Sequence, residues 1–521
     1  MNSFGGLGAE ISSQHSLTDK KTHSDIGWLV VLLLMSAVLR FSLLDVTPFH
    51  HDESIHAWFS YQLWTGHSYT YDPIYHGPFL YWTTALMYQV FGDSDFTARL
   101  LPAVFSTALV ILCWCLRSVL GRIGWIVTSL FITVSPTLTY YGRFLAHDNY
   151  VAFFTLASVL LGILFITSEK KIPLYLLGIN LGCFMATKAC FYIHLGIFVG
   201  FFFFVLILDT FAPKITRRRL LQEAVGLVRR NKRGGITATL LFLLTYITLY
   251  SSFFSNWQGI SDGLIQTLSY WGGQQQSPRI PGPFYYYLPR LMIHEPVFYL
   301  AVPAVIWAGT RAVRPFDLFL AYWTLAAFVV YGFAQEKVPW LLMHILLPMT
   351  LLGGRYIQVM TQKKVLHPWV MLSLVVLLGW SLRENLWLCF RASPDHPHLL
   401  KYMATGNDIK KVVTKITDNT MSFNHLIVSG KATWPLAWYL RHESTIYSLS
   451  PKWEETADMV IVDRTERMPG EQFSSETYVL NNWWQPDYKQ LLTSGLYPYV
   501  VKRTTGDHKG SSTFVMLTRY E

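Results

Sequence analysis

The 521-residue sequence is poor in charged residues. Asp, Glu, Lys and Arg together make up only 14% of the chain, whereas hydrophobic residues make up 52%. A soluble globular protein carries roughly 25% charged residues, so this composition excludes an ordinary soluble domain and predicts an integral membrane protein. Aromatic residues reach 16%, which suits a protein with aromatic belts at both membrane interfaces.

Cysteine is also scarce. The five cysteines all lie in or beside apolar runs, at Cys113, Cys115, Cys183, Cys190 and Cys389. Their spacing is not that of a zinc motif. We therefore interpret them as small residues of the apolar core.

Lys and Arg are absent from residues 45–98, although this stretch contains six carboxylates and five His. Basic residues cluster instead in alternate connections between apolar runs, and eight lie between Lys214 and Arg233. Because cytoplasmic loops carry the excess of Lys and Arg, these connections are predicted to be cytoplasmic and loop 45–98 to lie outside. The net charge of +10 then reflects membrane orientation, and we expect no nucleic-acid partner.

About eleven apolar runs are long enough to cross a hydrocarbon core of roughly 30 Å. They lie near 26–44, 99–117, 122–140, 149–168, 172–188, 190–210, 236–254, 296–310, 316–334, 340–358 and 367–388. The predicted fold is an α-helical polytopic protein of the cell membrane. Its amino terminus lies in the cytoplasm and its carboxyl terminus outside.

The predicted domains are a cytoplasmic tail at 1–25, a transmembrane domain at 26–390 and a small outside α/β domain at 391–521, where the composition becomes polar. In this last domain, the runs 425–430, 457–463 and 513–519 are typical of buried strands. Residues 405–416 and 434–442 are typical of helices.

Two adjacent acids, Asp52 and Glu53, follow the first predicted span. A carboxylate at this place could act as general base on an incoming hydroxyl. Helix capping by Asp52, with Glu53 near the positive end of the helix, is the alternative explanation.

Histidines are frequent in the same loop. His50, His51, His56, His67 and His76 offer ligands for a divalent metal together with the acids. Their spacing matches no known metal motif, and interfacial histidines are the simpler interpretation. If a metal binds, the candidate ligands are His51, Asp52 and His147.

Two shorter outside connections carry further charges. The first, YYGRFLAHDNY (140–150), holds Arg143, His147 and Asp148, and the second, AQEKVPW (334–340), holds Glu336 and Lys337. Asp148 is either a helix cap or a site residue. Arg143 either extends its guanidinium to the interface or contributes to a site. Lys337 stands where a cation would meet a lipid phosphate.

Several motifs together resemble the GT-C membrane glycosyltransferases, above all the branch of the protein O-mannosyltransferases and aminoarabinose transferases. They are HHDESIHA (50–57), YHGPFLYW (75–82), FGDSDFTARLLPA (91–103), LAHDNY (145–150) and EKVPWL (336–341). Within that branch the chain most resembles an archaeal and bacterial group associated with flippase activity. The resemblance covers roughly residues 26–360.

The resemblance implies transfer of a sugar from a polyprenyl-phosphate carrier to an acceptor hydroxyl on the outer face, with inversion. The acceptor would be a glycan, a lipid or a protein. By the same resemblance, Asp52 would be the base, with Glu53 and Asp148 as further catalytic acids. Arg143, Lys337 and His76 would bind the donor phosphate.

His51, Tyr75 and Glu336 would contact substrate. One departure matters, because aminoarabinose transferases carry Glu-Lys before a Pro-Pro pair, whereas this chain has Tyr75-His76 before Gly77-Pro78.

Two other functions compete with this one. A transporter or flippase component for lipid-linked sugars would keep its polar groups near the membrane midplane and show repeated halves, and neither feature is found in the sequence. Oligosaccharide transfer to Asn side chains would need a large acceptor-reading domain, for which the chain offers no candidate.

Overall fold

The computed structural model describes residues 19–168, 170–211, 222, 226–227, 229–277, 280–311, 314–363, 367–394, 396, 398–418, 425–443, 445–448, 457–463, 473–484, 486–505 and 509–519. Most of the predicted tail at 1–25 and most of the basic run that begins at Lys214 lie outside the described residues.

The amino-terminal three quarters of the described chain are helical. The helices are Asp19–Phe41, His51–Trp64, Phe79–Phe91, Asp95–Cys115, Arg117–Leu120, Arg122–Val134, Pro136–Gly142, His147–Ser168, Lys171–Met185, Cys190–Phe211, Lys232–Tyr250, Gln258–Gln276, Tyr287–His294, Phe298–Arg311, Pro315–Phe333, Leu342–Met360 and His367–Phe390.

Seven helices of the described part are long and apolar enough to cross a membrane, or nine if two bent helix pairs each form one span. The chain is therefore a multi-pass membrane protein. Lys171–Met185 is a shorter apolar helix, and Asp19–Phe41 coincides with the first predicted span. The figure of eleven spans stays a prediction.

Two predicted spans lie at sharp bends between consecutive helices. The span at 122–140 bends by 60° between Arg122–Val134 and Pro136–Gly142. Ser135 caps the second helix by accepting from the Leu138 N–H, and Pro136 occupies its first turn, a position where its missing N–H costs nothing. The span at 296–310 follows a second break of 114°.

A six-stranded sheet dominates the carboxyl-terminal region. Its strands are β1 Met403–Thr405, β2 Leu426–Ser429, β3 Thr445–Ser448, β4 Met459–Asp463, β5 Phe473–Trp484 and β6 Lys509–Arg519, in the order β1-β5-β6-β4-β2-β3. Strands β2, β3 and β4 are parallel, and the other pairs are antiparallel. The three predicted strands and the two predicted helices, Asp408–Thr417 and Thr433–Tyr439, are confirmed.

The sheet region packs on loop 45–98. Asp95 accepts hydrogen bonds from Trp438 Nε1 at 2.8 Å and from the Tyr439 hydroxyl at 3.0 Å. Arg441 donates to Asp93 at 2.6 Å. Asp93 and Asp95 therefore hold the carboxyl-terminal region against this loop.

Loop 45–98 is also joined by backbone hydrogen bonds to the turn after Lys171–Met185. The Gly77 N–H donates to Thr187 O at 2.9 Å, and the Phe79 N–H donates to Ala186 O at 2.9 Å. A Cβ on Gly77 would lie 2.1 Å from Ala186 O. Only glycine allows this close approach, which sets His76 beside the turn that carries Lys188.

We expect Gly77→Ala to destabilise the protein by about 1–3 kcal/mol, because the added methyl must displace backbone rather than a mobile side chain. Thermal unfolding of the purified protein in detergent measures the effect. The matched control is Gly162→Ala, in helix His147–Ser168, where an added Cβ meets nothing within 4 Å. Equal melting temperatures for the two variants would contradict the tight approach.

Candidate functional site

A cavity of about 760 Å³ lies where loop 45–98, the membrane helices and the sheet region meet. Its walls include the start of helix His51–Trp64, the turn at 73–76, the turn at 188–190, helix Gln258–Gln276 and residues 334–341. Half of the predicted site residues line it, namely His51, Asp52, Tyr75, His76 and Glu336.

Asp52 sits in the first turn of helix His51–Trp64 with 47% of its side chain exposed. It is not the cap of this helix. His50 is the cap, because its Nδ1 accepts from the Asp52 N–H at 3.1 Å. The Asp52 carboxylate is thereby left at the cavity wall, near the positive end of the helix.

Glu53 is fully buried. Arg99 donates to its two oxygens from Nε and Nη2, both at 2.7 Å. The N–H groups of His50 and Leu145 donate to the same carboxylate at 3.0 and 2.9 Å. These contacts agree with the alternative to a catalytic role, in which Glu53 stabilises the start of the helix. Glu53 is also not among the residues that line the cavity.

Asp148 forms a buried cluster with Lys188 and His344. Lys188 Nζ donates to both Asp148 oxygens, at 3.0 and 2.9 Å, and His344 Nε2 lies 2.9 Å from Oδ1. Lys188 also lines the cavity. Burial lowers the pKa of Lys188, but the Asp148 carboxylate outweighs this and raises it above its ordinary value. Lys188 thus places a positive charge at the cavity wall.

His76 stands between two aromatic rings. Its ring stacks on Trp271 with 5.5 Å between centroids and meets the His147 ring edge-on at 5.0 Å. His76 has a positive φ of 67°, which turns the chain toward Gly77. His147 is buried behind it, with Nε2 3.4 Å from Gly77 O.

Burial favours the neutral form of two histidines near Asp52, His51 and His56. Burial lowers the pKa of His51 below its ordinary value, and burial lowers the pKa of His56 to about 4. His56 Nδ1 lies 2.9 Å from the Tyr81 hydroxyl, which donates to Tyr75 O at 2.7 Å. Lys188 and Lys431 are the lysines that line this cavity.

Arg143 and Lys337 lie elsewhere. Arg143 donates to Leu39 O and Ser42 O at 3.0 and 2.7 Å, at the end of helix Asp19–Phe41. Lys337 Nζ donates to Tyr331 O, at the end of helix Pro315–Phe333. Both cations stabilise the last carbonyls of a helix, and neither lines the cavity that contains Asp52.

The predicted metal ligands do not form a cluster. In the described part of the chain, two groups of three metal-ligand side chains lie close together, Asp148 with Cys190 and His344, and His294 with Glu384 and His398. Neither group contains His51, Asp52 or His147. In the first group the Asp148 carboxylate already holds the Lys188 ammonium, a contact that competes with a metal ion.

Sequence reasoning missed Lys188, His344 and Trp271. A signal existed for two of them, because Lys188 is the last residue of one predicted span and His344 lies inside another, where ionisable residues are usually functional. Trp271 belongs to helix Gln258–Gln276, which was not predicted.

Comparisons with known proteins agree on the fold. A profile of the family described as dolichyl-phosphate-mannose-protein mannosyltransferase matches residues 75–228. The solved structures include ArnT from Cupriavidus metallidurans bound to undecaprenyl phosphate, with 14% identity, a TM-score of 0.59 and coverage of 94% of this chain and 98% of that chain. The chain has a GT-C, aminoarabinose transferase-like fold.

The apo structure of the same ArnT matches this GT-C-like chain with a TM-score of 0.56, 14% identity and coverage of 95% and 98%. The undecaprenyl phosphate-alpha-4-amino-4-deoxy-L-arabinose arabinosyl transferase of Yersinia enterocolitica is 24% identical over 289 residues, 53% of this chain. The chain thus spans about half the length of this curated relative, 48%. The predicted GT-C resemblance is confirmed.

We expect Glu53→Gln to lower the free energy of unfolding by about 3–5 kcal/mol, because Arg99 is left as an uncompensated buried charge. Thermal unfolding of the purified protein measures this. Asp52→Asn is the control, since its half-exposed side chain should leave stability nearly unchanged. A stable but inactive Glu53→Gln protein would instead favour the predicted catalytic role.

Proposed function

We propose that this protein transfers a sugar from a polyprenyl-phosphate carrier to an acceptor hydroxyl at the outer face of the membrane. The single observation that carries the proposal is the cavity of about 760 Å³ that is lined by both Asp52 and Lys188. The named relatives supply the donor class, because one is described as an undecaprenyl phosphate sugar transferase and another binds undecaprenyl phosphate.

The reaction needs a base for the acceptor and a cation for the leaving group. Asp52 takes the proton of the acceptor hydroxyl, and the freed oxygen forms a bond to the anomeric carbon of the donor. The bond from that carbon to the phosphate oxygen breaks, and its electron pair leaves with the polyprenyl phosphate. Attack opposite the leaving group inverts the anomeric carbon.

Lys188 is the phosphate-binding cation of this proposal. Its ammonium is oriented by Asp148, which is held in turn by His344, so the charge is in place before the donor arrives. Preorganised cations stabilise the negative charge that develops on a leaving phosphate. Tyr75, His76 and Glu336 line the same space and are proposed to contact the sugar, with His51 on the acceptor side.

The orientation of the protein follows from charge. Loop 45–98 has no Lys or Arg, which supports an outside location for it. The sheet region packs on this loop through Asp95, so it belongs on the same side. The transporter alternative is not favoured, because the named relatives are transferases.

We expect Asp52→Asn to lower kcat by about 100-fold or more, since amide oxygen is a poor proton acceptor and general bases contribute on that scale. Sugar transfer from undecaprenyl phosphate-linked aminoarabinose or mannose, followed by mass spectrometry of the lipid fraction, measures the rate. Asp45→Asn is the matched control, because Asp45 lies in the same loop but is exposed and away from the cavity. An unchanged rate in Asp52→Asn would contradict the base.

We expect Lys188→Gln to weaken undecaprenyl phosphate binding by about 10-fold or more, since a hydrogen bond to a charged group contributes about 1.5–3 kcal/mol. Lys188→Arg, which keeps the cation, should retain most of the affinity and controls for disruption of the Asp148 cluster. Titration of the carrier lipid into purified protein measures both. Equal affinity of wild type and Lys188→Gln would exclude Lys188 as the phosphate contact.

A further inference from the structure

A second cavity, of about 750 Å³, lies between residues 280–290 of the membrane domain and the sheet region. His51 and Lys431 line both this cavity and the cavity that contains Asp52. The two spaces therefore meet at the start of helix His51–Trp64, one residue from Asp52. Asp52 itself lines the first cavity, next to the residue that the two cavities share.

The charge of the second cavity is of one sign. Among the described residues that line it there is no Asp or Glu, whereas four cations are present: Arg290, Lys337, Lys401 and Lys431. The first cavity, by contrast, includes Asp52 and Glu336. Because several cations that line one space favour an anion, the second cavity is suited to a ligand with negative charge.

Arg290 is the most organised of these cations. It is 95% buried, and it donates from Nε to Leu399 O at 2.9 Å and from Nη1 to the Tyr488 hydroxyl at 2.8 Å. Within the described residues its Nη2 has no hydrogen-bond partner. A guanidinium fixed in this way keeps a directed donor for a carboxylate or phosphate oxygen.

Aromatic side chains form the rest of the wall. Tyr286, Tyr402, Trp483, Trp484 and Tyr488 line the cavity. The Arg290 guanidinium lies 3.5 Å from the centroid of the Tyr286 ring, which fixes its plane. Flat aromatic faces with a few polar groups suit the apolar face of a sugar ring, and such mixed linings are typical of ligand sites.

We propose that the second cavity binds the acceptor and that this acceptor is an anionic saccharide, a sugar that carries a carboxylate or a phosphate. The proposal rests on the proposed function, because it assigns the hydroxyl that Asp52 deprotonates. Arg290 and Lys431 hold the anionic group, the aromatic wall holds the sugar ring, and the ring hydroxyl nearest to His51 faces the base.

The experiment measures binding to the purified full chain in nanodiscs by calorimetry, without donor. Three probes of similar size are compared: an oligogalacturonate trimer, a phosphorylated maltotriose and neutral maltotriose. At least one anionic probe should bind about 10-fold or more tightly than maltotriose, as for a charged hydrogen bond, and higher salt should weaken its binding.

Two cation variants test the location. Lys431→Gln removes an exposed cavity cation and should weaken binding of the anionic probe, whereas Lys502→Gln removes an exposed cation outside the cavity and should not. Arg290→Gln should weaken it further, and Arg290→Lys should restore part of the affinity. The Lys431→Gln result stands even if the Arg290 variants fail to fold.

Tighter binding of the oligogalacturonate or of the phosphorylated sugar than of maltotriose supports the proposal, and the tighter of the two shows whether the cavity prefers a carboxylate or a phosphate. Equal binding of all three probes, or unchanged binding in Lys431→Gln, would overturn it. Failure of the proposed function is distinguishable, because Asp52→Asn should lower the rate of transfer about 100-fold and leave anion binding intact. A wild-type protein that binds the anionic probe but transfers no sugar would contradict the proposed function and leave the anion-binding proposal standing.

Discussion

The buried pair of Glu53 and Arg99 is the interaction on which the rest of the site depends. Glu53 accepts from Arg99, from His50 N–H and from Leu145 N–H. Arg99 Nη1 also donates to Leu44 O and Thr47 O. One carboxylate and one guanidinium thus tie the end of the first helix, the start of the second and the turn before Asp148 into a single unit.

This unit decides what the neighbouring acid can do. Because Glu53 satisfies the helix start from within the protein and His50 provides the cap, Asp52 is released from both tasks and remains half-exposed. Two adjacent carboxylates therefore have opposite environments. Glu53 accepts from several buried donors, and Asp52 lines a cavity near the positive end of a helix, which is consistent with the proposed role of base.

The cations, like the two carboxylates, fall into one group with a structural role and one that lines the cavity. Arg143 and Lys337 hold carbonyls at helix ends, whereas Lys188 is held by Asp148 and faces the cavity. Motif position alone did not separate these cases, because a cation near the membrane boundary serves equally well as a helix cap or as a phosphate contact. For Arg143 and Lys188 the partners that decide between the two uses, Leu39 and Asp148, are distant in sequence.

The sequence by itself determined the membrane class, most of the helices, the strands at 425–430, 457–463 and 513–519, and the GT-C resemblance. The membrane class, the helices and the strands follow from composition and local periodicity, and the resemblance rests on short motifs such as HHDESIHA (50–57) and EKVPWL (336–341). Only the tertiary structure decided that Asp52 and Lys188 share a cavity, that Glu53 lies buried with Arg99, and that helix Gln258–Gln276 supplies Trp271. Those outcomes depend on packing between segments far apart in the chain, and no local pattern encodes which of two adjacent carboxylates is enclosed by buried donors and which lines a cavity.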